Sequence, residues 1–361
     1  MTLATSSRRA VVVGVGLIGG SVALGLKAQG FFVSGIDARR ELEQSALEQG
    51  VIDAVGDDLT AEFVFVCVPA QHVVGVVDEI VAVPGRRVDV VITDVCGVKA
   101  PLSFAISDDR FIGGHPMAGS EQLGLSGARG DLFIGATWVL CPTPRTEPSR
   151  YAALSSLVTS LGALPLALEA NDHDRLVAVV SHVPHLLAAT LMRRAVIGAA
   201  SDGALLQLAA GGFRDMTRVA AGDPEIWPDL CATNAVAIAA TLEAVITDLT
   251  SVREMVLEGN RTGLFDFLTL SSQARRALPA KQEVPTELVM LKVVVSDQPG
   301  TLAEVTTIAS DLQVNVVDLQ IAHSIEGGRG VLQLTIGKVG STALSEALTK
   351  RGYHCFVEEL R

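Results

Sequence analysis

The chain has 361 residues, which suggests two to three domains at roughly 150 residues each. Its formal net charge is −12, with 49% hydrophobic, 19% charged and only 4% aromatic residues. That composition is too apolar for a disordered chain, and the acidic balance argues against nucleic acid or an anionic membrane surface as a partner. Five scattered cysteines with no C-x-x-C pair exclude a disulfide framework or zinc ribbon and read as buried thiols in a reducing cytoplasm.

From the N-terminus, Arg8-Arg9 before AVVVGVGLIGGSVALGL has the look of a twin-arginine signal. The glycine spacing, and the lack of a small-residue cleavage site before Lys27, argue against secretion. Instead, strand and helix alternate. Ala10–Val13, Phe31–Ile36, Phe63–Val68 and Val88–Thr93 read as strands, and Ile18–Gln29 and Arg39–Gln49 as helices, with a further amphipathic helix before Val88. Uninterrupted apolar strands between helices predict a parallel sheet covered on both faces, with Ala136–Cys141 and Ala163–Leu168 as later strands. Residues 171 to 280 carry helical periods only, and Trp227–Glu258 reads as one long helix, apolar almost all round and hence buried in a bundle or at a subunit interface. The apolar stretch Leu176–Met192 is interrupted by His182, Pro184 and His185, so no membrane span is expected. The polar, proline-bracketed residues 278–285 form a linker, and the remainder reads βαββαβ, a ferredoxin-like order. The expected division is an α/β Rossmann-type dinucleotide-binding domain at 1–170, an all-helical domain at 171–281 and a small α/β domain at 286–361.

Gly14-x-Gly16-x-x-Gly19 follows the first strand and opens a helix. In that setting Gly14 permits the turn, Gly16 lets a pyrophosphate approach the backbone at Leu17 and Ile18, and Gly19 allows close helix–strand packing. Asp37 ends the second strand, where a carboxylate accepts ribose hydroxyls and repels a 2′-phosphate, which favours NAD. Arg39 and Arg40 leave NADP as the alternative. Pro69 ends the next strand, where loops pass near a nicotinamide.

GGHPMAGSE, residues 113–121, puts His115 between a diglycine and a proline, after a short strand. A neutral imidazole on a rigid loop there is a candidate general base. His173, His182 and His185 follow in the helical region as polar lining of a cleft; His182 and His185 share a face, with Pro184 kinking the helix between them. No carboxylate stands at useful spacing, so no metal is expected. Gly211-Gly212 precedes Arg214 and Arg218, a loop entering a helix that presents guanidinium groups to a carboxylate.

VVGVGLIGGS, TDVCGVK, GGHPMAGSE, SHVPH and GFRDMTRVA, in that order, make the chain resemble the prephenate/arogenate dehydrogenase family of tyrosine biosynthesis, and the tail resembles an ACT domain. The resemblance implies NAD-dependent oxidative decarboxylation of prephenate, or of arogenate, by a cytoplasmic homodimer. It implies that His115 is the residue that takes the proton of the ring C4 hydroxyl, and that Arg218 anchors a substrate carboxylate. His182 and His185 would contact or orient the substrate, and Ser120 and Glu121 would lie near it and its gate. The ACT resemblance rests on Asp297, Gly300 and Asn315 and implies an aromatic amino-acid effector such as tyrosine. One departure stands out: where the family usually shows serine in D-x-x-S-V-K, this chain has Gly97, preceded by Cys96. Water, Cys96 or Ser120 are the candidate replacements. A 2-hydroxyacid dehydrogenase with an ACT tail fits less well, because its substrate segment would have to precede Gly14. A non-catalytic dinucleotide and amino-acid sensor would leave His115, His185 and Arg218 without a role.

Overall fold

The first strand, β1 (Arg9–Val13), alternates its side chains between two cores: Ala10 and Val12 enter one, Val11 and Val13 the other. Phe63 and Phe65 against Val64 and Val66 do the same in β4 (Phe63–Val66). Both faces are covered, which is why these strands read as unbroken apolar runs. The structure is a computed structural model that describes residues 8–119, 122, 124–277, 288–296, 298, 300–323 and 329–359. It divides into two units, residues 1–279 and 280–361.

In the first unit, β1 is followed by α1 (Leu17–Ala28), β2 (Phe32–Ile36), α2 (Arg40–Glu48) and the short β3 (Ala54–Val55). After β4 come α3 (Ala70–Ala82), β5 (Val91–Asp94), α4 (Ala100–Ala105), β6 (Phe111–Pro116), β7 (Thr137–Cys141), α5 (Pro148–Ser160) and β8 (Leu164–Ala167). The sheet order is β3-β2-β1-β4-β5-β6-β7-β8. Its first six strands are parallel and have the Rossmann order, with the switch point between β1 and β4.

Three expectations change here. The sheet is mixed, because β7 runs antiparallel to β6. No crossover helix lies among the described residues of 117–136, and a parallel return needs one. The strand expected from Val88 starts at Val91; Val88 itself is exposed. His115 is not on a loop: it belongs to β6 and pairs with Val139.

Six further α-helices follow among the described residues: α6 (Ala170–Val177), α7 (Val183–Ala199), α8 (Gly211–Thr217), α9 (Ile226–Thr233), α10 (Ala235–Leu257) and α11 (Arg261–Ala277), with a π-turn at Ala178–His182 joining the first two. Pro184 sits at the start of α7, where its missing N–H costs little, and the π-turn takes up the break. Gly211 and Gly212 lie inside α8 and not on a loop before it. The helix expected over Trp227–Glu258 is interrupted at Asn234, whose side chain turns inward to donate to the Asp174 carbonyl. Nor is α10 buried within this chain. Val236, Ile246, Leu249, Val256 and Leu257 are exposed. By length and composition alone Ala170–Ala199 and Ala235–Leu257 are long and apolar enough to cross a membrane. All five cysteines are free thiols, but only Cys96 and Cys141 are buried.

In the second unit, β9 (Leu288–Ser296), α12 (Thr301–Asp311), β10 (Val316–His323), β11 (Arg329–Gly337), α13 (Lys338–Lys350) and β12 (His354–Glu359) build an antiparallel sheet of order β10-β11-β9-β12. Leu291, Val293, Leu332 and Leu334 pack against Val305 and Ala309 of α12 and Leu344 and Leu348 of α13. The βαββαβ order is as the sequence patterns predict.

Candidate active site

The glycine turn shows what each glycine is for. Gly14 has φ +93°, and a Cβ there would lie 2.4 Å from the Cys67 carbonyl oxygen. A Cβ on Gly19 would lie 1.8 Å from the Gly14 carbonyl oxygen. Gly16 is different: nothing lies within 4 Å of where its Cβ would be. It caps α1 without a side-chain hydrogen bond, so the helix N-terminus at Leu17 and Ile18 offers N–H groups beside open space. That cradle fits a dinucleotide pyrophosphate. Asp37 lies at the end of β2 with its carboxylate accepting the Val15 N–H at 3.0 Å and the Arg39 N–H at 3.0 Å. Arg39 itself is exposed. Pro69 caps the start of α3.

Contacts lead from this turn to His115. The carbonyl and side chain of Cys67 pack against Gly14 and Gly19. At the end of β5, Asp94 accepts the Cys96 and Gly114 N–H groups, each at 3.0 Å, and pairs with the ammonium of Lys99. Both members of the pair are shut off from solvent. Gly114 admits the close approach of β5 and β6, since a Cβ would lie 2.6 Å from the Asp94 carbonyl oxygen. The next residue is His115.

His115 does not stand alone. Its Nδ1 lies 2.8 Å from His173 Nε2, and His173 Nδ1 lies 2.7 Å from Asp174 Oδ1. Asp174 also accepts the N–H of Lys99 at 2.7 Å and of Ala100 at 2.9 Å, which ties α6 to the start of α4. Desolvation, then Lys99, His173 and His182, holds His115 well below the usual histidine value of 6.5. The ring is therefore neutral at physiological pH, as a general base must be.

His182 is buried, its Nδ1 accepting the Asn234 amide at 3.2 Å, and desolvation lowers it to about 4. His185 stacks on Trp227, ring centroids 3.6 Å apart and planes 13° from parallel. The segment Arg218–Ala221 packs beside α7, where Gly222 approaches the His185 ring. Arg218 is on the exposed side of that segment. Ser120, Glu121 and Asp297 lie outside the described residues. Gly300 starts α12 with φ +94°, and Asn315 is exposed one residue before β10, not within it. Among the described residues no group of three or more His, Cys, Asp or Glu side chains is placed to hold a metal ion.

Two sequence profiles match: "Prephenate dehydrogenase, nucleotide-binding domain" over residues 22–165 and "Prephenate dehydrogenase, dimerization domain" over residues 169–270. The prephenate dehydrogenase of Bacillus subtilis (strain 168) is 30% identical over 90% of this chain and 91% of its own length. The chain belongs to the prephenate dehydrogenase family. Among solved relatives, a Synechocystis arogenate dehydrogenase is 32% identical with a TM-score of 0.64, covering 74% of this chain and 99% of that one. A prephenate dehydrogenase from A. aeolicus, solved with hydroxyphenyl propionate and NAD+, is 26% identical with a TM-score of 0.70, covering 77% and 100%.

Gly97 stands where the resemblance implied a serine. A Cβ there would lie 3.9 Å from both Cε1 and Nε2 of His115 and 3.3 Å from Leu230 Cδ1, so this position lies beside the ring edge of His115 away from the nitrogen that His173 holds. The Cys96 thiol is turned elsewhere, onto the Val68 carbonyl at 3.3 Å, and burial raises it to about 12. It does not stand in for a serine hydroxyl. The residues that sequence reasoning missed are Asp174, Asn234 and Trp227. The only sequence signal was the unbroken polar run Asn171-Asp-His-Asp174 opening an otherwise apolar helical region.

Proposed function

We propose that this protein catalyses the NAD-dependent oxidative decarboxylation of prephenate to 4-hydroxyphenylpyruvate. The observation that carries the reading is His115: a neutral imidazole at the carboxyl end of β6, held by His173, in contact sequence with a dinucleotide-type glycine turn. Ligands bind at that edge of such sheets. NAD, when bound, supplies the hydride acceptor for C4. As C4 gains carbonyl character, His115 takes the hydroxyl proton. The C–C bond to the ring carboxylate then breaks, CO2 leaves, and its electron pair completes the aromatic ring. His115 returns the proton to the phenolate oxygen. Arg218 anchors a substrate carboxylate, which an acidic protein otherwise repels, and His182, His185, Ser120 and Glu121 complete the substrate surroundings. Asp37 favours NAD over NADP.

Arogenate is the second reading, supported by the 32% identity to the Synechocystis arogenate dehydrogenase. The test is NADH formation with each substrate in turn. Turnover with prephenate is expected; turnover with arogenate alone transfers the assignment, and none with either leaves the sensor reading. The C-terminal unit is read as an ACT domain that binds an aromatic amino acid such as tyrosine through Asp297, Gly300 and Asn315. Its βαββαβ order and the left-handed Gly300 support this. Unchanged kinetics and no calorimetric heat on tyrosine titration would sink it. The exposed apolar residues of α10, within the segment matched by the dimerization-domain profile, support a homodimer, and five free thiols suit the cytoplasm.

A further inference from the structure

We propose that Asp174 and His173 are positioning residues that select the tautomer of His115, directing its lone pair from Nε2 toward the space over Gly97. This rests on the reading of His115 as the base. The argument starts at Asp174. Its Oδ1 already accepts the Lys99 N–H, and an ionised carboxylate is acceptor-only, so the 2.7 Å contact to His173 is an Nδ1–H donated by the histidine. A neutral imidazole has one N–H. His173 Nε2 is then an acceptor, and the 2.8 Å contact to His115 is an Nδ1–H donated by His115. The remaining nitrogen of His115, Nε2, carries the lone pair. It lies beside Gly97, which brings no side-chain donor or acceptor to it, and the neighbouring Leu230 is apolar.

The chain of bonds is anchored at Asp174. His173 is fully buried, and Asp174 is nearly so. Oδ1 and Oδ2 of Asp174 hold the N–H groups of Lys99 and Ala100, and its carbonyl accepts the Asn234 amide at 2.8 Å. Gly97 makes the device matter more in this chain than where a serine hydroxyl stands. With no side-chain donor or acceptor at that position, the tautomer of His115 alone decides whether the group facing a substrate hydroxyl accepts a proton or offers one.

The test is nitrogen NMR on the full chain with 15N-labelled histidine, His115 being assigned by loss of its signals in His115→Asn. A pyridine-type Nε2 and a protonated Nδ1 on His115 are expected; a protonated Nε2 in the neutral wild-type ring overturns the proposal without any assay of activity. Asp174→Leu removes the acceptor that both His173 and the Lys99 N–H use, and should leave the tautomers of His173 and His115 unselected. Kinetics add a second arm. His173→Leu should lower kcat by about 10²–10⁴-fold, the contribution of a positioned acid–base group, with KM little changed, and His173→Gln, whose carbonyl oxygen still accepts from Nδ1, should restore most of it. Equal loss in both variants points to a structural role and overturns the proposal. Wild-type turnover in His115→Asn instead overturns the reading of His115 as the base, and the NMR result then still decides the tautomer on its own.

Discussion

Lys99 and Asp94 form an ion pair with neither side chain exposed to solvent. Such a pair gives little net stability, but loss of one partner strands a charge, at about 3–5 kcal/mol. Lys99→Met is expected to lower the unfolding free energy by that amount in urea titration. Lys99→Met combined with Asp94→Leu should recover part of it, since the stranded carboxylate is gone.

Gly16 and Gly19 are three residues apart and predict opposite outcomes. Gly19→Ala forces a Cβ into the Gly14 carbonyl and should destabilise the fold by about 1–3 kcal/mol, as overpacking does. Gly16→Ala meets no protein atom and has φ −77°, so the melting temperature should hold while NAD affinity falls. Calorimetric melting together with NAD titration separates the two.

The lowered histidines make stability depend on pH with a defined sign. The unfolded chain protonates His115 and His182 near 6.5, whereas the fold keeps His182 neutral down to about 4 and His115 neutral well below 6.5. Their contribution is complete above pH 6.5 and is lost as pH falls below it, for His182 through about 4. Melting temperature should therefore drop over that interval. A His182→Asn variant should show a shallower drop. The acid limb of kcat/KM should likewise fall below 6.5.

Base and anchor should separate kinetically. His115→Asn is expected to cut kcat by about 10²–10⁴-fold. Arg218→Ala removes a charged hydrogen bond of about 1.5–3 kcal/mol, so KM should rise by about 10–100-fold with kcat nearly kept. If both keep wild-type constants in steady-state assays, the site lies elsewhere.

Local chemistry alone carried much of this protein. The strand–glycine turn–helix from Ala10, the helical stretch after residue 170 and the βαββαβ tail were legible because each rests on short-range periodicity or on backbone conformations open only to glycine. His115 stood out for the same reason, wedged between a diglycine and a proline. The antiparallel turn of β7 was not legible, since it depends on how residues 117–136 return to the sheet. Neither was the break at Asn234, because its inward hydrogen bonds join groups 52 and 60 residues apart. The partnership of His115 with His173 spans 58 residues. A sequence can mark a histidine as out of place, but which nitrogen holds the proton is decided only when folding brings a second histidine and a carboxylate into line with it.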